Sequence, residues 1–266
     1  MKSSSTKKII TAFFFFVWML IVVAIYFWGH KPLTIPVFTA IFNSLRDVLL
    51  VFLVTALAGG IGRWFIPANK LASLERIALH ASFGFGVLGL LWFLAGLLSL
   101  YKGWAAWGVL IAGMVIFRQF SWDWIKDFLV LREIWSVSGK LEKSLLLIAI
   151  LLVLGQLFFV LSPPIKYDAL TYHLELPRRY IENGKFNFIT NNPYWGHPQL
   201  TEMLYTWMMI LVRPQTAAVL GWGFGVLTLI GVLGVASSRF GTANQPEKEN
   251  KVRVTAGCMA VITLLA

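Results

Sequence analysis

The feature that most constrains this chain is a series of apolar runs, most of them near the roughly 20 residues that span a bilayer. The runs cover residues 9–28, 37–62, 77–100, 104–117, 144–161, 199–212 and 217–236, and another begins near Thr255. With 58% hydrophobic residues in 266, a soluble domain could not bury this many large apolar side chains. The sequence therefore predicts an all-α, polytopic transmembrane bundle of about seven or eight helices.

Charge and cysteine content exclude several classes of protein. The net charge is +11, but the basic residues flank the apolar runs, which favours topology signals and contact with anionic membrane lipids over nucleic-acid binding. The single cysteine, Cys258, lies in an apolar run, so disulfides and cysteine-based metal sites are excluded.

The basic residues also predict an orientation. The first run follows Lys7 and Lys8 and has no cleavage site after it, which indicates an uncleaved anchor with a cytoplasmic N-terminus in the inner membrane. Alternation then places the polar loop 162–199 outside. Alternation also places the basic segment 237–253 outside, against the rule that loops rich in Lys and Arg stay in the cytoplasm. Either run 199–212 does not fully cross, or this later loop is an exception.

Two further segments carry structural predictions. Apolar residues recur at near-helical spacing within the charged stretch between the fourth and fifth runs, which predicts an amphipathic helix on the cytoplasmic interface. They are Trp122, Ile125, Phe128, Leu129 and Trp135. Arg46 and Asp47 adjoin the second run, and we expect them to neutralise each other near the outer leaflet.

The loop 162–199 concentrates the polar chemistry of the chain. After two prolines, Asp168 precedes a helix-competent run that Gly184 is suited to cap, with Pro177 expected to kink or split it. At helical spacing Tyr172 and Glu175 share a face with Asp168. We expect short helices along the outer membrane surface, with interfacial aromatic anchors at Phe186, Phe188, Tyr194 and Trp195.

The residue types support two interpretations of this loop. Asp168 could deprotonate an acceptor group as a general base, or it could only cap the helix. Arg178 and Arg179 could hold a phosphate by bidentate contacts, or they could bind lipid headgroups.

Three other polar residues are candidates for the same site. Glu202 lies just inside the run 199–212, either as a second carboxylate facing a cavity or within the headgroups. His173 and His197 could donate to phosphate or bind a metal. Since their spacing is not that of a ligand pair, we expect no metal and no other cofactor.

A group of short motifs resembles the GT-C class of polytopic glycosyltransferases, which includes the dolichyl-phosphate-mannose protein mannosyltransferases and their bacterial relatives. The matching residues are YDALTYH at 167–173, Tyr180, Gly184, HPQL at 197–200, and the run from Ala217 to Arg239-Phe240-Gly241. The resemblance implies that Asp168 is the catalytic acid/base residue and that the donor is a sugar on a polyprenyl-phosphate lipid. It further implies an acceptor outside the cytoplasm, which could be a glycan, a lipid or a protein.

The predicted organisation follows from this resemblance. Residues 1–143 would supply N-terminal helices and the interfacial helix, and residues 144–266 would begin the catalytic module. Tyr172, His173, Glu175, Arg178, Arg179, His197 and Glu202 would bind substrate. Because the run from Thr255 is too short to span, we expect the chain to be the front part of a larger protein. The alternatives are a transporter or flippase, and a non-catalytic membrane subunit.

Overall fold

The computed structural model describes residues 2–30, 35–67 and 73–239, and all regular structure in these ranges is helical. The helices are α1 (Lys2–His30), α2 (Ile35–Phe65), α3 (Ser73–Leu97), α4 (Gly103–Ile116), α5 (Arg118–Asp127), α6 (Val130–Val137), α7 (Lys140–Leu161), α8 (Glu175–Asn183), α9 (Leu200–Leu211) and α10 (Pro214–Arg239). A π-helix (Ala169–His173) precedes α8, and a 3₁₀ helix (Pro193–Gly196) precedes α9. The predicted all-α class is confirmed, whereas the run near Thr255 and Cys258 lie outside the described residues.

The chain divides into two compact units, Met1–Arg46 and Asp47–Ala266. The first contains α1 and the start of α2, and the second contains the rest of α2 and the other helices. The predicted functional division at residue 143 concerns a catalytic module, so it stays a prediction.

Several helices are suited to cross a membrane. Among the described residues, four are long and apolar enough by composition, namely α2, α3, α7 and α10. A fifth span results if α4 is counted with the segment 118–136, toward which it bends by 76°. The finer prediction of seven or eight spans stays a prediction.

One end of the second unit carries a polar cluster that joins three helices. The carboxylate of Asp127 on α5 accepts hydrogen bonds from Arg63 of α2 at 2.5 Å and from Arg76 of α3 at 3.0 and 3.2 Å. Trp124 of α5 is buried and donates to the carbonyl of Ile77 at 3.1 Å. We call this the basic end of the unit.

The stretch predicted as one amphipathic helix is two helices on this end, α5 and α6, and its position on the membrane interface stays a prediction. Trp124 packs against α2 and α3, whereas Trp122, Leu129 and Trp135 are exposed. Ile125 and Phe128 are half-buried.

The opposite end, which we call the loop end, contains the segment 162–199. The amide of Phe186 donates to the carbonyl of Gly96 near the end of α3, at 3.0 Å, which fixes the loop against that end. Helix α10 runs antiparallel to α3, because Phe224 contacts Phe85 and Gly231 contacts Ala78. Helix α10 therefore begins at the loop end and returns to the basic end.

Helix α9 does not cross the unit. Its first residue, Leu200, lies against Gly89, roughly 12 Å of helix before α3 ends. The turn at Arg213 that follows α9 leads into the start of α10, at the loop end. Helix α9 thus begins at mid-depth and returns to the end from which the loop entered. Of the two possibilities left by the basic segment 237–253, this geometry favours a run 199–212 that does not cross.

A buried carboxylate holds the turn after α9. Asp47 is 0% exposed and accepts from Arg213 at 2.5 and 2.8 Å and from the hydroxyl of Thr216 at 2.9 Å. We expected Arg46 to neutralise Asp47, and the prediction missed these two partners.

Candidate functional site

The segment after α7 enters the unit through a π-helix rather than an α-helix. The amide of Leu174 donates to the carbonyl of Ala169, five residues earlier, at 2.9 Å. This wider turn separates the π-helix from α8 at Leu174, so the break lies there and not at Pro177, where it was predicted. Pro177 occupies the first turn of α8, where a helix tolerates proline. Gly184 ends α8 with φ of 68°, which confirms the predicted cap.

Asp168 stands immediately before the π-helix and is exposed. Its side chain makes no capping bond, and among the described residues its carboxylate has no hydrogen bond or ion pair. The structural alternative, in which Asp168 serves as a helix cap, is therefore wrong. The carboxylate is free to meet a ligand.

Aromatic rings form a wall beside this carboxylate. Tyr172 stacks on Tyr194 with ring centroids 5.0 Å apart, and His197 lies edge-on to both, at 6.1 and 5.6 Å. Desolvation, followed by the negative charges of Asp168 and Glu202, raises the pKa of Tyr172. Both carboxylates therefore act on the same phenol.

Asn192 fastens this wall to the π-helix. Its amide group donates to the carbonyl of Thr171 at 2.8 Å, and its side-chain oxygen accepts from the amide of Tyr194 at 3.0 Å. Sequence reasoning gave Tyr194 only as an interfacial anchor and did not single out Asn192, so it missed both. The Asn-Pro pair was the available signal, because an Asn side chain readily bonds the backbone two residues on.

His173 and Glu202 form a dyad deeper in the unit. Nδ1 of His173 lies 2.7 Å from Oε1 of Glu202, whose residue is only 4% exposed. The His173 side chain is 38% exposed and lies against the ring of Tyr172, at 4.0 Å between centroids. Glu202 is therefore a buried carboxylate that contacts the loop, and its role at a site stays a prediction.

Glu175 occupies a different arrangement from the predicted one. It accepts from Arg178 at 2.8 Å and from Arg179 at 2.7 Å, and Arg178 also pairs with Glu182. Hydrogen bonds from Arg178, and then from Arg179, hold the pKa of Glu175 below its ordinary value against the opposing effect of burial. Glu175 is therefore committed to ion pairs on α8.

The two arginines are correspondingly engaged. Arg178 lies between Glu175 and Glu182, and Arg179 also donates to the side chain of Asn191. A phosphate bound by these guanidinium groups would have to share them with carboxylates already in place. Their predicted role at a phosphate stays a prediction.

The loop packs into the unit more deeply than the sequence suggested. Tyr180 and Leu176 of α8 are buried, and the hydroxyl of Tyr180 donates to Gln199 at 2.6 Å. Phe186 packs on Phe93 of α3, at 5.0 Å between ring centroids, and is not a free interfacial anchor. Of the four predicted anchors, Phe188 is the one that is clearly exposed.

Two apolar grooves lie beside the aromatic wall of Tyr172, Tyr194 and His197. The first, of about 350 Å³, lies between α3 and the loop and is lined by Leu90, Phe93, Trp195, His197 and Leu200, among others. The second, of about 230 Å³, continues past Leu200 between α3, α9 and α10. His197 lines the first groove and also contacts Tyr172 of the aromatic wall, so the groove and the wall meet at this residue.

The structure thus brings together five of the eight predicted site residues. They are Asp168, Tyr172, His173, His197 and Glu202. Of the other three, Arg178 and Arg179 both pair with Glu175 on α8. Within the described residues, no group of three or more His, Cys, Asp or Glu side chains is arranged to hold a metal ion.

Comparison with known proteins identifies no relative: no family model, curated protein or solved structure matches this chain.

Proposed function

We propose that this protein is an integral membrane glycosyltransferase. It would transfer a sugar from a polyprenyl-phosphate lipid to an acceptor outside the cytoplasm. The observation that carries the proposal is Asp168, an exposed carboxylate without a structural partner among the described residues. It lies beside an aromatic wall whose His197 also lines an apolar groove.

The proposed membrane arrangement puts the loop end outside and the basic end in the cytoplasm. The course of α10 supports it, because α10 returns to the basic end and leads toward the segment 237–253. That segment would then be cytoplasmic, in keeping with its basic residues. The proposal keeps a cytoplasmic N-terminus, an inner-membrane location and a polytopic bundle.

The proposed chemistry needs one proton acceptor. Asp168 would take the proton of the acceptor group as this group attacks the anomeric carbon of the sugar. The bond from that carbon to the phosphate oxygen breaks, and its electron pair stays on the phosphate. Tyr172 and Tyr194 offer aromatic faces on which a sugar ring could pack.

The two apolar grooves would receive the prenyl chain. A prenyl chain in a bilayer is already surrounded by hydrocarbon, so a groove contributes little hydrophobic free energy. Its contribution is orientation: a chain along Leu90 and Leu200 would bring its phosphate toward His197 and the aromatic wall.

The test is cleavage of the donor. The protein is reconstituted in vesicles with prenyl-phosphate-linked sugars and candidate acceptors, and release of free prenyl phosphate is measured against protein-free vesicles. The proposal expects release that depends on protein and acceptor. Movement of the intact lipid-linked sugar across the vesicle membrane, with no cleavage for any donor, would instead identify a flippase.

A further inference from the structure

The proposed reaction creates negative charge on the leaving phosphate, and the arginines predicted to bind that phosphate are engaged elsewhere. The donor is a phosphodiester with one negative charge, and cleavage leaves a prenyl phosphomonoester with close to two. Positive hydrogen-bond donors aimed at this developing charge would lower the barrier. Yet Arg178 and Arg179 are already paired with Glu175.

His173 is placed to supply that donor. Its Nδ1 is held by Glu202 at 2.7 Å, and since a carboxylate can only accept, Nδ1 carries the hydrogen. Nε2 has no hydrogen-bond partner among the described residues. One nitrogen is therefore fixed by a buried carboxylate, and the other is available to a ligand, as in sites where a carboxylate orients an imidazole.

Glu202 lies in the first turn of α9 and is 4% exposed, so its carboxylate is enclosed within the unit. Its hydrogen bond to Nδ1 therefore fixes the orientation of the imidazole.

Titratable groups surround His173 from three elements. The π-helix and the residue before it contribute Asp168 and Tyr172, the 3₁₀ segment contributes Tyr194 and His197, and α9 contributes Glu202 and Tyr205. The carboxylates here are Glu202, which bonds His173, and Asp168, whose charge acts on the neighbouring Tyr172. In the proposed reaction, Asp168 becomes neutral when it takes up the acceptor proton. As that negative charge disappears, a new one forms on the phosphate.

We propose that His173 binds the phosphate of the carrier lipid through Nε2, with Glu202 as the positioning residue. This inference rests on the proposed function for its substrate. During transfer, the bond between the anomeric carbon and the phosphate oxygen breaks, and the electron pair goes to that oxygen. The Nε2–H of the imidazolium donates a hydrogen bond to the phosphate, and no proton is transferred.

The experiment measures binding of two defined probes to the reconstituted protein. One is farnesyl phosphate, a monoester, and the other is farnesyl methyl phosphate, a diester whose single charge does not change near neutral pH. The wild type is compared with His173→Gln and with Lys185→Gln, which removes an exposed cation of the same loop. His173→Gln should weaken monoester binding by about tenfold or more, the loss typical of a hydrogen bond to a charged group. Lys185→Gln should change it by less than about twofold.

A second variant tests the positioning role without removing the imidazole. Glu202→Gln is compared in the wild type and in the His173→Gln background. It should weaken binding of both probes in the wild type and leave it unchanged in the His173→Gln background, where no imidazole remains to be positioned. An equal loss in both backgrounds would contradict the positioning role, since a purely structural glutamate would act alike in each.

The outcomes separate this inference from the proposed function. Monoester binding that is unchanged in a folded His173→Gln variant would overturn the inference, even if sugar transfer is observed. Binding that depends on His173 in a protein that cleaves no donor would support the phosphate site and reject the transferase.

Discussion

The crossing of α2 and α3 gives the sharpest test of the packing, because two glycines on one helix should respond oppositely to the same substitution. A Cβ atom built on Gly84 would lie 1.8 Å from the carbonyl oxygen of Ala58 and 2.4 Å from its carbonyl carbon. A Cβ built on Gly86 would have no other atom within 4 Å. Gly84→Ala therefore forces two backbones apart, whereas Gly86→Ala meets open space.

The magnitude follows from these distances. An ordinary carbon–oxygen contact is about 3.3 Å, so the helices would have to separate by roughly 1.5 Å at this point. A gap of about 1 Å forfeits up to half of the dispersion energy of the atoms that line it. Because the obstructing atoms are backbone, we expect a loss near the upper end of overpacking values, about 3 kcal/mol. Gly86→Ala should be neutral or stabilise by up to about 1 kcal/mol, since alanine favours helix.

The assay is reversible unfolding in mixed micelles, followed by circular dichroism as the fraction of denaturing detergent rises. Gly84→Ala should unfold at a clearly lower detergent fraction than the wild type, and Gly86→Ala should not. If the two variants unfolded together, the close approach of α2 and α3 would be refuted.

Three other predictions concern the turn, the loop and the course of α9. Asp47→Ala should cost about 3 kcal/mol in the same assay, because it leaves the half-buried guanidinium of Arg213 without its carboxylate; Thr216→Val, which keeps the ion pair, should cost less. Arg178 holds the pKa of Glu175 below its ordinary value of 4.5. The ionised Glu175 therefore contributes fully to the free energy of unfolding above about pH 4.5, and this contribution is lost as the pH falls through the lowered pKa. Glu175→Gln should flatten that part of the pH–stability curve. In a cysteine-free background, a single cysteine at Lys185 or Pro214, both at the loop end, should react with an impermeant maleimide from one face of the membrane. A single cysteine at Lys140, at the basic end, should react from the other face. Labelling of Pro214 from the same face as Lys140 would mean that α9 crosses.

Much of the helical framework could be predicted from sequence. Apolar runs bounded by basic residues gave helices close to those observed, since hydropathy and helix length respond to the same constraint. Gly184 also acted as expected, because a left-handed φ strongly favours glycine at the end of a helix.

The course of α9 was not predictable in the same way. A run of about 14 residues is compatible with a short span or with a segment that returns, and hydropathy does not separate these. The choice depends on two long-range contacts, Leu200 with Gly89 and Arg213 with Asp47. Neither has a local sequence signal.

The site was partly predictable for a related reason. Assuming a uniform α-helix placed Glu175 on the face of Asp168, but the π-helix changes the rotation between them, and Glu175 pairs with arginines instead. The second carboxylate of the site is Glu202, which comes from a different helix and meets His173 only through the fold.

The account depends most directly on Asp168, and the deciding measurement is the rate of sugar transfer by Asp168→Asn in reconstituted vesicles. Glu182→Gln is the matched control, since Glu182 is an exposed carboxylate of the same loop that pairs with Arg178. The account predicts that Asp168→Asn lowers the transfer rate by roughly 10² to 10⁴, the usual contribution of a general base, while Glu182→Gln stays within about twofold of the wild type. Transfer by a folded Asp168→Asn protein at the wild-type rate would contradict it.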